Sequence, residues 1–245
     1  MLETEHDADP NGAGKIALLY IDEHLVVADK PSGLLVHRGW DNDDDVAMFR
    51  VRDAIGEHVF PVHRLDRGTS GALLFARNPT IAALLSAAFE AGKIEKQYLA
   101  LVRGNPPDDG VIDYAIQKKE DGPRVPAVTR YRVVGRSSVD RCSLVLALPE
   151  TGRLHQIRRH LRHIDHPLVG DVKHGSGQIN RHYRTAYNLH RLALHASRLA
   201  FVHPVTNQRI EIACNLPSDL TLPFEALGLK ADVEFPEPAV MSQLS

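Results

Sequence analysis

Residues 61–78 read PVHRLDRGTSGALLFARN. Asp66 lies between Arg64 and Arg67, and Gly68, Thr69, Ser70 and Gly71 separate it from the apolar run 72–76. Turn-forming residues followed by a short, wholly apolar block predict a buried strand entered from a tight loop. The carboxylate would then sit at the end of a strand, with Gly68 and Gly71 allowing backbone or a bound molecule to approach closely. Asn78-Pro79 follows at once. Asn as N-cap, Pro at the first helical position and Gly92 beyond the end predict a helix over 80–91.

Upstream, residues 16–21 and 25–28 are apolar runs around Asp22-Glu23-His24. They predict a hairpin leading into the turn Lys30-Pro31-Ser32-Gly33. Residues 45–55 predict a short helix capped by Asp43 or Asp44. Downstream, residues 97–103, 111–117, 129–134 and 142–148 are rich in β-formers and separated by Gly, Pro and Asp clusters. Residues 199–203 and 209–213 predict another hairpin. No internal repeat is present. The pattern predicts an α+β fold, a single domain over 15–230 on a central, largely antiparallel mixed sheet flanked by helices. An acidic, disordered tail over 1–14 and a C-terminal tail over 231–245 are expected around it.

Cys142 and Cys214 lie far apart with no paired spacing, which argues against a zinc site or a disulfide framework and fits a reducing cytoplasm. No apolar run approaches the roughly 20 residues of a membrane span, and the start MLETEHDADPNG is acidic rather than signal-like. A protein neither exported nor membrane-bound is expected, with a monomer as the working assumption. The formal net charge of −2 conceals an uneven distribution. Eleven acidic residues fall at positions 3–9, 41–45 and 232–237; setting them aside leaves 29 Lys and Arg against 20 Asp and Glu, a body charge of +9. A basic face suited to a polyanion is compatible with that body.

The second informative stretch is residues 150–171, ETGRLHQIRRHLRHIDHPLVGD. Leu154, Ile157, Leu161 and Ile164 recur at helical spacing, with Thr151 as the expected N-cap and His166-Pro167 as the stop. The apolar stripe is about 80° wide, so Arg159 falls opposite it in water while Arg153 and Arg158 fall on its flanks. A partly buried Arg158 needs a carboxylate or phosphate partner, because a guanidinium does not lose its proton. Asp66 is one candidate and an ordinary surface acid is the other. His155, His160, His163 and His166 lack the spacing of a metal site, so no metal is expected.

The residues around Asp66 do not fit two common schemes. A kinase loop would read H-R-D without the intervening leucine and would need a Gly-rich phosphate loop elsewhere. A glycosidase would need a second carboxylate nearby. A structural Arg–Asp turn and a lone carboxylate nucleophile both remain open on these residues. For the second, a neighbouring arginine favours the charged form of a carboxylate and fixes its orientation.

HRLDRGTSG at 63–71, KQYLALVRG at 96–104, TGRLHQIRRHL at 151–161, HPLVGD at 166–171 and LHA at 194–196 occur together. With KPSGLLVH at 30–37, they resemble, in family order and over residues 16–216, the RluA family of pseudouridine synthases. The resemblance implies isomerisation of uridine to pseudouridine in RNA, with no cofactor and no metal. It implies that Asp66 is the nucleophile and Tyr98 packs on the flipped uracil and assists proton removal from C5. Arg158 would pair with Asp66, and Arg64 would help extrude the nucleotide. His63, Arg153, His155 and Arg159 become candidate RNA contacts and Leu194 a wall of the uracil pocket. Arg67 is expected to be a loop or phosphate contact, and His195 either a satisfied core histidine or a functional one. Base extrusion costs a few kcal/mol and calls for an aromatic platform and cationic anchors, which these residues would supply. LLVHRGW at 34–40, HVFPVHRLDR at 58–67 and GDVKHGSGQINRHYR at 170–184, with His174 where many relatives carry tyrosine, resemble a subgroup acting on tRNA. The alternatives are the same reaction on ribosomal RNA, or an RNA-binding or RNA-folding protein without turnover. Gly68 departs from the proline expected in relatives, which bears on loop stiffness.

Overall fold

The computed structural model describes residues 14–38, 43–118 and 122–230. The tails expected at 1–14 and 231–245 thus lie almost wholly outside the described residues, as does Asp41 of the acidic cluster. In chain order the elements are β1 (Ala17–Ile21), β2 (Leu25–Lys30), α1 (Ala47–Ile55), β3 (Phe60–Pro61), β4 (Ser70–Ala76), α2 (Pro79–Glu90), β5 (Glu95–Arg103) and β6 (Asp109–Asp113). They continue through β7 (Ile116–Gln117), β8 (Arg124–Val125), β9 (Val128–Arg136), β10 (Cys142–Pro149), α3 (Gln156–His163), α4 (Gly177–Tyr187), β11 (Leu194–Val202), β12 (Arg209–Ala213) and α5 (Ser218–Ala226).

Ten strands form one sheet in the order β1-β2-β4-β11-β5-β10-β9-β6, with β12 on β11 and β3 on β4. Among the described residues every pairing between strands of this sheet is antiparallel except a short parallel contact between β4 and β11, Ser70 opposite His195 and Gly71 opposite Ala196. This is the α+β fold on a largely antiparallel mixed sheet that the sequence predicts. Gly71 makes the parallel contact possible. Its φ is +111°, and a Cβ there would run into the Ala196 carbonyl oxygen.

Strand periodicity sets the two faces. On β5, Leu99 and Leu101 pack with Leu220 and Phe224 of α5 and Tyr183 of α4. Tyr98, Ala100 and Val102 point the other way, toward Ile157 and Leu161 of α3. On β4, Leu73 and Phe75 meet Val51 of α1, while Ala72, Leu74 and Ala76 meet Ile81 and Leu85 of α2. The wholly buried run of β4 explains why the sequence there reads as continuous apolar residues rather than alternation.

Four local expectations are corrected. Neither Asp43 nor Asp44 caps α1. Its N-cap is Val46, and the amides of Ala47 and Met48 donate to the carbonyls of Leu35 and Val36, at 2.8 and 3.0 Å, so no acid is needed there. Asp43 pairs with Arg67, Asp44 with Arg38 and Asp45 with Arg50. Thr151 does not cap α3, which begins at Gln156 with His155 as N-cap, four residues beyond the expected cap. Leu154 accordingly lies outside the helix and is exposed rather than in the apolar stripe. Arg159 is not free in water, since its Nη1 donates to the Gln117 carbonyl at 2.9 Å. The strand expected at 111–117 breaks at Tyr114, which stacks on His163 with ring centroids 3.6 Å apart. The α2 expectation holds: Asn78 Oδ1 accepts from the Ile81 amide at 2.9 Å, with Pro79 opening the helix.

Candidate active site

The loop before β4 is fixed from both sides. Thr69 donates its amide to the Asp66 carbonyl at 3.0 Å, closing the turn. The fully buried Lys30 spreads its Nζ over the carbonyls of Pro31, Leu34 and Arg67, at 2.8, 2.7 and 3.3 Å. Burial pushes this ammonium down to about 7, and three carbonyl acceptors are what its protonated form requires. Arg67 completes the clamp, its Nε donating to the Gly33 carbonyl at 2.9 Å while it pairs with Asp43. Its role is that of a loop contact.

Asp66 thereby projects against α3. Its Oδ2 accepts from Arg158 Nη1 at 2.8 Å, and its Oδ1 lies 3.8 Å from His155 Nε2. Arg158 is 9% exposed and carries a second, planar contact: Nε and Nη2 each donate to one oxygen of Asp171 at 2.8 Å. Asp171 Oδ1 also accepts the amides of Lys173 and His174, both at 2.9 Å. Burial would raise the carboxyl of Asp171, but the Arg158 hydrogen bonds and the His174 amide outweigh it and hold it below the usual range. The guanidinium is therefore a rigid bridge whose inner end is locked and whose outer end aims Asp66. Gly170, with φ +78°, puts Asp171 in place; a Cβ there would collide with the Arg191 carbonyl oxygen.

Eight of the residues singled out from the sequence line one cavity of about 620 Å³, namely His63, Arg64, Asp66, Tyr98, Arg153, His155, Arg158 and Leu194; Arg159, the other candidate RNA contact, is not among its lining residues. They reach it from the loop before β4, from β5, from the start of α3 and from β11. Burial first, and the charge of Asp66 second, push the Tyr98 phenol well above its usual range, so the ring faces the cavity as a neutral surface. Leu194 is buried beside it in the same apolar cluster. Arg64 is exposed at the rim. Arg153 is also exposed and donates Nε to the Pro126 carbonyl at 3.2 Å. His63 is tied into the fold: its Nε2 accepts the Leu74 amide at 2.9 Å and its ring stacks on Phe89. Burial pushes that imidazole down to about 3.

Four residues that matter here were not assigned roles from the sequence. Asp171 is the inner partner of Arg158. Gln156 pins the start of α3, its Nε2 donating to the Val128 carbonyl and its Oε1 accepting from Thr151 Oγ1 and the Arg153 amide. Lys96 stands two residues before Tyr98 on the same strand face and lines the cavity, its Nζ donating to the Thr151 carbonyl at 3.3 Å. His174 touches His155. The only sequence signal for Asp171 was its place directly after Gly170 in HPLVGD.

His195 is a core histidine. Its Nε2 donates to the Cys214 carbonyl at 3.1 Å, so its Nδ1 accepts from Ser70 Oγ at 2.8 Å, and that oxygen in turn accepts from Arg191 Nη2 at 2.7 Å. Burial pushes the imidazole down to about 4. The unfolded chain therefore binds more protons than the folded one between about pH 4 and 6.5, so stability is complete above 6.5 and falls as pH drops. At about 1.4 kcal/mol per pH unit the loss from this group is roughly 3 kcal/mol. Urea unfolding measured from pH 7 to 4 is expected to show it, and His195→Gln is expected to flatten the curve; parallel curves for the two proteins would contradict this assignment.

Residues 24–163 match the RNA pseudouridylate synthase family. A tRNA pseudouridine synthase C of Haemophilus ducreyi is 42% identical over 234 residues, 87% of this chain and 96% of that protein. The enzyme of that name from Vibrio parahaemolyticus is 40% identical over 223 residues, 82% of this chain and 91% of that protein. The one from Pectobacterium carotovorum is 45% identical over 219 residues, 80% of this chain, and the chain spans 58% of its length. Among solved structures, human RNA pseudouridylate synthase domain containing 4 superposes with a TM-score of 0.72 at 28% identity, over 87% of this chain and 94% of that one. The chain belongs to the RNA pseudouridylate synthase family.

Proposed function

We propose that this protein isomerises a uridine of tRNA to pseudouridine, at position 65, with Asp66 as the nucleophile. In that reaction the N1–C1′ bond breaks, a C5–C1′ bond forms, one proton leaves C5 and one is taken up at N1, so nothing is oxidised or added. The observation that supports the reading best is the state of Asp66. One oxygen is held by a guanidinium that is itself locked on Asp171, and the residue borders a cavity of a size suited to a nucleotide. In this reading Tyr98 packs on the extruded uracil and Arg64 stands at the rim to handle the displaced nucleotide. His63, Arg153 and His155 border the same space, with His63 contributing through the shape it gives the wall. The names of the relatives support tRNA as substrate. Among the described residues no helix is long and apolar enough to cross a membrane, and a cytoplasmic monomer is the form proposed.

The test is to incubate the protein with tRNA transcripts bearing U65 or C65 and with ribosomal RNA, then map pseudouridine by chemical modification and primer extension. Pseudouridine is expected in the U65 transcript alone. Modification only in ribosomal RNA would move the substrate, and binding without modification of either would favour an RNA-binding or RNA-folding role.

A further inference from the structure

The roles above leave one contact at the cavity edge unused. His155 Nδ1 and His174 Nε2 are 3.0 Å apart, with the rings edge-on at 72°. His155 has φ +53°, a left-handed backbone that is uncommon for a residue with a Cβ. It stands at the N-cap of α3 yet makes no side-chain cap bond; its ring is turned instead toward Asp66. Such strain persists where the surroundings hold a side chain in a required place.

We propose that His155 is a positioning residue that presents an Nε2–H to Asp66 Oδ1, and that His174 enforces this by donating its own Nε2–H to His155 Nδ1. The proposal rests on Asp66 being the nucleophile. Two neutral imidazoles sharing a hydrogen bond must divide the roles of donor and acceptor. Were His155 Nδ1 the donor, its Nε2 would turn a lone pair toward a carboxylate oxygen 3.8 Å away, which is repulsive. With His174 as donor, His155 Nε2 carries the proton and the contact is attractive. The charged groups facing the pair are Asp66, Arg158, Asp171 and Lys173. Burial holds both rings below the ordinary histidine value, so near neutral pH the relay joins two uncharged rings.

His174 is itself anchored on the site. Its amide donates to Asp171 Oδ1 at 2.9 Å, and its carbonyl accepts from Arg162. Asp171 thus supports both arms that reach Asp66: Arg158 holds Oδ2, and His155, through His174, faces Oδ1. Because Arg158 occupies Oδ2, the relay bears on the oxygen left to meet the substrate.

The test compares kcat and KM on tRNA for His174→Phe and His174→Gln in the unmodified chain, and for His174→Phe in a His155→Gln background. Glutamine at 174 carries an amide donor, and glutamine at 155 carries a donor toward Asp66 that needs no partner to set it. His174→Phe is expected to lower kcat about tenfold with KM within about twofold, and His174→Gln to recover most of the loss. In the His155→Gln background His174→Phe is expected to cost no more than about twofold. Equal cost in both backgrounds, or a glutamine variant as slow as the phenylalanine one, would overturn the relay. Should the phenylalanine variant melt early, His174→Met takes its place as a donor-free side chain. Asp66→Asn run alongside separates the failures: turnover that survives it defeats the nucleophile reading, whereas loss there without the predicted epistasis defeats only the relay.

Discussion

Asp66→Asn is expected to bind tRNA as tightly as the unmodified protein and to form no pseudouridine, a loss of at least about 10⁴-fold in turnover. The two halves of this expectation have separate physical origins. Binding and folding persist because an asparagine oxygen still accepts from Arg158 Nη1, while Asp171 continues to hold the other face of the guanidinium. The cost in stability is then about 1 kcal/mol, that of weakening one charge-assisted hydrogen bond. Removing a negative charge beside a phosphate-rich ligand does not weaken association either. Turnover is lost because a neutral amide oxygen is a poor nucleophile. Filter binding and mapped modification on the same transcript check both halves, and a variant that loses binding along with turnover would mean that Asp66 shapes the site rather than attacks.

Arg158 is expected to give the second-largest effect, and it divides by substitution. Arg158→Met leaves Asp171, 1% exposed at its side chain, without a cation, and breaking a buried pair in this way costs about 3–5 kcal/mol. A low urea midpoint or insoluble protein is the expected outcome. Adding Asp171→Leu removes the stranded charge and is expected to restore much of the stability but none of the activity. Arg158→Lys is expected to fold and yet lose about 100-fold or more in kcat/KM, because an ammonium is a point charge and does not span two carboxylates in one plane. Activity within about threefold of the unmodified chain for Arg158→Lys would show that the planar bridge is not what aims Asp66.

Legibility in the sequence followed the range of the forces involved. The helix Pro79–Glu90 could be read because its stop and start signals are local, with Asn78, Pro79 and Gly92 each acting within a turn. The strand Ser70–Ala76 could be read because burial on both faces leaves an unbroken apolar run. Arg158 could be marked as needing an acid from its place on the helix flank, but Asp66 alone satisfies only one of its nitrogens. Asp171 stayed hidden because its position depends on residues 167–169 lying along the end of β5, with the Arg103 amide on the Pro167 carbonyl and the Val169 amide on the Leu101 carbonyl. No local pattern announces such pairing.

Other features were hidden by polar residues with distant partners. The strand Leu194–Val202 carries buried Ser197 and Arg198 in its middle, which break the apolar pattern; Arg198 is paired with Glu211 from the neighbouring strand. Helix Ser218–Ala226 has Pro223 inside it and no side-chain cap, and helix Gly177–Tyr187 buries only Tyr183, so both lack the usual signals. His155 as the N-cap of α3 was hidden for a related reason. The first turn there is held by the side chain of Gln156 against Val128 and Thr151, contacts that cross from one element to another.

The most direct test of the central claim uses a U65 tRNA transcript carrying tritium at C5 of uridine, in single turnover with excess protein, since formation of the C5–C1′ bond expels that hydrogen from the modified base. Release of the label from position 65 by the unmodified protein, and none above background with Asp66→Asn, is the result predicted. Release that survives the substitution, or no release from a transcript the protein demonstrably binds, would contradict it.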